Sequence, residues 1–108
     1  AIDCALWDLE AKRAGKRVWE LAGLPAPRPM LTAFTISLGD PGSMAEATRA
    51  AAGRELLKLK LGGEGDAERV AAVRAAAPHA RLIADANESW KDIDIEWMCH
   101  QLHSHDVE

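Results

Sequence analysis

Apolar residues recur along this chain first with a period near 3.6 and then with a period of 2, and the two patterns alternate to the end. From Ile2 to about Ala22, the residues Ile2, Leu6, Leu9, Val18 and Leu21 keep helical spacing, with Ala5, Trp7 and Ala14 between them. Gly15 divides this stretch into two predicted helices, because glycine inside a helix costs about 1 kcal/mol. Gly23 closes the second helix, and Pro25, Pro27 and Pro29 keep it from resuming. Leu31 to Leu38 then reads as a strand, with Phe34, Ile36 and Leu38 alternating with Ala33, Thr35 and Ser37. Asp40, Pro41 and a Ser43-x-x-Glu46 capping box open an alanine-rich helix that ends at Gly53. A second strand covers Leu56 to Leu61, and after Gly62-Gly63 a helix begins near Asp66, runs through Val70, Val73 and Ala77, and stops at Pro78. Arg81 to Asn87 is a third strand. A last helix from about Lys91 carries Ile95, Met98 and Leu102 on one side.

The predicted strands start at Leu31, Leu56 and Arg81, 25 residues apart each time. Strand and helix repeating at this length predict βαβ crossovers and a parallel sheet, which a doubly wound fold and a (β/α)8 barrel both satisfy. Each strand carries polar groups towards its C-terminal end: Thr35 and Ser37, Lys58 and Lys60, Asp85 and Asn87. In a barrel these converge on the mouth where active sites form. Val107-Glu108 stands where a fourth strand would begin. The chain also opens on Ala1 inside a helical pattern, so it reads as a piece of something longer.

Composition narrows the function classes. A chain of 108 residues, nearly half of them apolar, can bury the core of one small domain. A net charge of −4 and a pI near 5.5, with no basic run, exclude a nucleic-acid footprint. No apolar run approaches the roughly 20 residues of a membrane span, and no signal segment opens the chain. Cys4 and Cys99 have no ligand spacing, which fits a reducing, cytoplasmic setting.

Lys58 and Lys60 are the residues that most need a reason. Residues two apart share one face of a strand, so both lysines project together while Leu57, Leu59 and Leu61 line the other face. Neighbouring ammonium groups repel, and such repulsion is how a lysine becomes a base near neutral pH. The alternative is an edge strand with solvated lysines. Asp85 and Asn87 share a face in the same way, and neighbouring parallel strands lie about 4.8 Å apart. Asp85 therefore reads either as an ion-pair partner of Lys60 or as a ligand for a hard divalent cation. His100 and His103, one helical turn apart, suit a transition metal, but without a third ligand in register solvent-facing histidines are the stronger reading.

The ordered set Phe34-Thr35-Ile36-Ser37, Lys58-Leu59-Lys60 and Asp85-Ala86-Asn87, preceded by Ala1-Ile2-Asp3-Cys4-Ala5-Leu6-Trp7-Asp8, resembles the enolase superfamily. Within its muconate-lactonising branch the dipeptide epimerases are most similar, over residues 1 to about 90. The resemblance implies an α/β chain holding the first three βα units of a TIM barrel (30–108), preceded by the end of a helical capping domain and a linker (1–29). It implies that Lys60 removes the proton α to a carboxylate. Lys58 would assist by charge beside that carboxylate, Thr35 would contact substrate, Asp85 would be the first of three Mg²⁺ ligands and Asn87 a supporting residue. The implied reaction epimerises a dipeptide of the L-Ala-D/L-Glu type through an enediolate, with a Lys base and Mg²⁺ as in enolase-type sites.

Muconate cycloisomerases, o-succinylbenzoate synthases and N-succinylamino-acid racemases of the same branch share the lysines and the metal, so a dipeptide or an N-acyl amino acid fits as substrate. The other two metal ligands and an opposing lysine are expected on later strands; Glu108 falls a few residues early for the second ligand. A reading of another class is a catalytically silent piece that associates through its open sheet edge, and a homo-oligomer stays open.

Overall fold

A computed structural model describes residues 1–108, which form two compact units, Ala1–Met30 and Leu31–Glu108. The first holds α1 (Ile2–Ala14) and α2 (Val18–Leu21). They divide at Gly15, whose positive φ of 63° closes α1 with its N–H on the Lys12 carbonyl. Only Ala11 of this unit is buried, whereas Ile2, Leu6 and Leu9, expected to pack, are exposed. The one-turn α2 is too short to cover that stripe.

The second unit runs β1 (Phe34–Ile36), α3 (Pro41–Ala50), β2 (Leu56–Lys60), α4 (Asp66–Ala76), β3 (Arg81–Asp85) and α5 (Ile95–Ser104). The strands are parallel and lie in the order β1-β2-β3. Pairing of Phe34 with Leu57, Ile36 with Leu59 and Leu57 with Leu82 puts these five residues on one face. Ile36, Leu57, Leu59 and Leu82 form the core there with Met44 of α3 and with Val70 and Val73 of α4. Both helices thus cover the same face of a sheet whose strands follow sequence order. That is the winding of a barrel wall; a doubly wound sheet would carry helices on both faces.

Several boundaries differ from the sequence reading. β1 is three residues long, because only Phe34, Thr35 and Ile36 have partners on β2. Thr35 pairs with Lys58, a step of 23 residues, whereas Lys60 pairs with Asp85, a step of 25, so the equal spacing of the predicted starts does not carry into the register. The cap of α3 is Asp40 and not Ser43: its carboxylate accepts from the Ser43 N–H at 3.0 Å, and Pro41 takes the first turn, where its missing N–H costs nothing. α5 begins at Ile95 because Asp94 accepts from the Trp97 N–H and so caps it. Val107 bridges Leu82 in parallel and the Glu108 N–H donates to the Leu82 carbonyl, so these residues lie along the outer edge of β3.

Leu59 is fully buried at the centre of the sheet, with apolar neighbours from both helices. Leu59→Ala is expected to destabilise this unit by about 2–5 kcal/mol in denaturant unfolding; a loss below about 1 kcal/mol would mean that the face is not packed as described.

Candidate active site

Burial of the leucines turns Lys58 and Lys60 to the opposite face of β2, where their side chains keep 36% and 35% of their exposure. The neighbouring strand ends there with Asp85, level with Lys60. One carboxylate oxygen, Oδ2, receives both ammonium groups, Lys58 Nζ at 2.7 Å and Lys60 Nζ at 2.8 Å. Lys60 Nζ also donates to Asn87 Oδ1 at 2.5 Å, and the Asn87 N–H donates to Asp85 Oδ1 at 3.1 Å. Asn87 lies beyond the end of β3, in a left-handed turn with φ 44°, and not in the strand itself. Asparagine tolerates that conformation better than most side chains, and the turn brings its amide back over Lys60. Thr35, level with Lys58 on β1, shares this face and is exposed.

Charge dominates the cluster. Hydrogen bonds from Lys58 and then Lys60 hold the Asp85 carboxyl well below the usual carboxylate range, against a smaller opposing effect of desolvation. Two cations and one anion leave an excess of positive charge on the face, which suits an anionic ligand.

The loops that follow the strands are tied together by a residue for which the sequence suggested only a helix start. Asp66, at the first position of α4, is fully buried. It accepts from the Gly62 N–H at 3.0 Å, the Gly63 N–H at 2.7 Å, Arg69 Nη1 at 2.9 Å and Trp90 Nε1 at 2.8 Å. Arg69 reaches further, donating to the carbonyls of Gly39 and Glu64. Gly63 has φ 109°, and a Cβ there would stand 3.3 Å from the Ser89 carbonyl oxygen, so a larger residue would be strained and crowded at once. The available signal was an aspartate three residues after a Gly-Gly pair, with a tryptophan after the third strand. Neither pattern by itself points to a contact.

The structure therefore brings Lys58, Lys60, Asp85 and Asn87 together, with Thr35 one strand away. Asp85 has the hard oxygen chemistry of a Mg²⁺ ligand, yet no group of three or more His, Cys, Asp or Glu side chains is placed to hold a metal ion, so these residues do not make a complete site. Glu108 does not contribute: both its carboxylate oxygens bind Arg81, at 2.7 Å each. His100 and His103 are exposed on α5, and Cys4 and Cys99 are free and exposed. No helix is long and apolar enough to cross a membrane.

A barrel wall that carries paired lysines and an aspartate at adjacent strand ends is a class of enzyme fold, and comparison with known proteins identifies the family. Residues 42–108 match the model for the enolase C-terminal domain-like family, and the chain belongs to it. It is 43% identical over 104 residues to the L-Ala-D/L-Glu epimerase of Escherichia coli (strain K12), covering 94% of this chain and 32% of that protein. It is 38% identical over 96 residues to an N-acetyl-D-glutamate racemase of a Pseudoalteromonas species, covering 89% of this chain and 30% of that protein. The chain thus spans about a third of these relatives.

Among solved structures, an enolase family member from Agrobacterium tumefaciens with homology to dipeptide epimerases, holding sodium and L-Ala-L-Glu, superposes with a TM-score of 0.90. The identity is 52%, over 100% of this chain and 33% of that one. A dipeptide epimerase from Cytophaga hutchinsonii, complexed with Mg and D-Ala-L-Val, gives 0.86 at 30% identity, over 96% of this chain and 30% of that one. The three parallel strands and their helices are the corresponding part of the superfamily's TIM-barrel fold.

Asp85 yields a test by pH. A carboxylate whose folded value lies below its ordinary 3.8 stabilises the fold above that pH, and the contribution is lost as pH falls towards the lowered value. The stability difference between the native chain and Asp85→Asn, read from thermal unfolding, is therefore expected to shrink between about pH 5 and about pH 2. A difference that stays constant across that range would show that Asp85 is not held by the lysines.

Proposed function

We propose that this chain supplies one half of the active site of a Mg²⁺-dependent epimerase acting at the α-carbon beside the carboxylate of a dipeptide of the L-Ala-D/L-Glu type. The observation that carries the reading is the sharing of Asp85 Oδ2 between Lys58 and Lys60 at the ends of adjacent strands. In this reading residues 1–29 are the end of a capping domain and its linker, and 30–108 are the first three βα units of the barrel. The dipeptides held by two of the structural neighbours and the name of the E. coli relative support a dipeptide, and the Pseudoalteromonas relative, named for N-acetyl-D-glutamate, supports an N-acyl amino acid as the alternative.

The chemistry follows from the placement of the groups. A proton α to a carboxylate is weakly acidic because its removal puts a second negative charge on an anionic group. Lys60 Nζ, once it has released one proton to solvent and become the neutral amine, takes that proton. Lys58, on the same face of the strand, meets the substrate carboxylate with its positive charge, and the Thr35 hydroxyl offers a hydrogen bond one strand away. Asp85 would be one ligand of Mg²⁺, which when bound would offset the developing charge. As a metal ligand Asp85 would exchange its bonds to the two ammonium groups for the cation. Asn87, bonded to Lys60 and to Asp85, keeps the two in step.

A second reading concerns the 108-residue polypeptide by itself. β1 is paired on one side only, and an unpaired parallel edge is a template for another chain. On this reading the sedimentation coefficient rises with concentration; a monomer at every concentration would exclude it.

The catalytic reading is tested by grafting. Put in place of the matching segment of the E. coli epimerase, this chain is expected to support uptake of solvent deuterium at the glutamate α-carbon of L-Ala-L-Glu. Lys60→Ala in the graft should slow uptake from the epimer whose α-proton faces Lys60 by about 10²–10⁴-fold. A graft that folds like its parent, binds Mg²⁺ and incorporates no deuterium would overturn the proposal.

A further inference from the structure

We infer that Asp66 is a positioning residue for this site: through its bonds to the Gly62 and Gly63 amides and to Trp90 it fastens the loop after β2 to the loop after β3, and so sets Lys60 against Asp85. For its catalytic meaning the inference rests on the reading of Lys60 and Asp85 given above, but the coupling itself is a matter of geometry.

Lys60 and Asp85 are the last residues of their strands. Beyond them, the pairing that holds β2 beside β3 is nearly exhausted. The Leu61 N–H donates to the Asp85 carbonyl at 3.0 Å, and Ser89 Oγ approaches the Leu61 carbonyl at a long 3.4 Å. Neither bond reaches past Leu61 with any strength.

Asp66 supplies what the ladder lacks. Its Oδ2 accepts from the Gly63 N–H, three residues after Lys60, and from the Trp90 indole, five residues after Asp85. One oxygen atom thus joins the continuation of both strands. Its Oδ1 binds the Gly62 N–H and Arg69, and Arg69 Nε carries the connection to the Gly39 carbonyl in the loop after β1. Three consecutive βα loops therefore meet at one ion pair.

The chemistry of the hub is consistent with precise placement. An ionised carboxylate accepting from two backbone amides, an indole and a guanidinium forms charge-assisted bonds, which are shorter and more directional than neutral ones. It is fully buried, so a broken bond is not replaced by water. Asp66 itself does not touch the substrate face, since it lies on α4 beneath the loops and its side chain is spent on these four donors. Its influence on Lys60 and Asp85 runs through Gly62-Gly63 on one side and the turn from Asn87 to Trp90 on the other.

Asp66→Asn keeps the shape and removes the charge. Backbone hydrogen exchange of the 108-residue chain, together with the ¹³C resonance of the Asp85 carboxyl, reads the consequence. Exchange is expected to quicken about ten-fold at Gly62 and Gly63 and, across the gap, at Leu61 and Asn87, whose amides bond to Asp85. The Asp85 carboxyl resonance should move as the lysines lose their fixed distance, while amides in the middle of β2 and β3 keep their rates.

Quickening confined to Gly62 and Gly63, with Leu61, Asn87 and the Asp85 resonance unchanged, would reduce Asp66 to a local cap and overturn the inference. If Asp66→Asn loosens the whole sheet, Trp90→Phe decides: it deletes the indole bond and trims one ring from the contact with the core while leaving the other three donors to Asp66 in place, and it must reproduce the changes at Leu61, Asn87 and Asp85 or the inference fails. None of these readouts involves metal or substrate, so a failed graft leaves them intact, and their failure leaves the graft experiment standing.

Discussion

Burial of Leu57, Leu59 and Leu82 beneath α3 and α4 is the constraint on which the site depends. A strand has only two faces, so once its leucines are committed to the core, Lys58 and Lys60 have nowhere to go but the other side. The same parity in β3 sends Leu82 and Ala84 inward and Asp85 outward. A slip of one residue would bury two ammonium groups and expose the core, and the cost of burying unpaired charge rules that register out.

Parity brings the charges to one face; it does not bring them to one point. The parallel register does that, by placing Lys60 level with Asp85 and leaving Lys58 one pleat below, near enough for both amines to reach the same oxygen. The result is compact and strongly polar, with the acid between two bases. Half-exposed ion pairs of this kind contribute little to folding. Their arrangement leaves an excess of positive charge on the open face of a barrel wall, which suits an anion at the lysines; under the proposed function the carboxylate would hold a hard cation.

The sequence was informative where a residue's role follows from its immediate neighbours. Alternation made β2 and β3 legible, and the K-x-K and D-x-N spacings, ordered along βα units, made Lys58, Lys60 and Asp85 legible as a set. It was misleading at edges. β1 contracts to three residues because the flanking positions find no partner, and the cap of α3 falls on Asp40 because its carboxylate reaches the amide three residues on. It was silent on Asp66. The bond from Asp66 to Trp90 spans 24 residues, and no local pattern distinguishes an acid that opens a helix from one that gathers loops. Asn87 was placed on the correct side for the wrong reason, by a turn and not by strand parity.

A complete epimerase needs a second acid on the opposite face of the substrate to return the proton with inverted configuration. The central claim is that Lys60 is the base on one of those two faces. The most direct measurement follows deuterium uptake from each epimer separately, L-Ala-L-Glu and L-Ala-D-Glu, in the graft carrying Lys60→Ala. Loss of uptake from one epimer, with uptake from the other retained, is the result this account predicts. Equal retention from both epimers would contradict it.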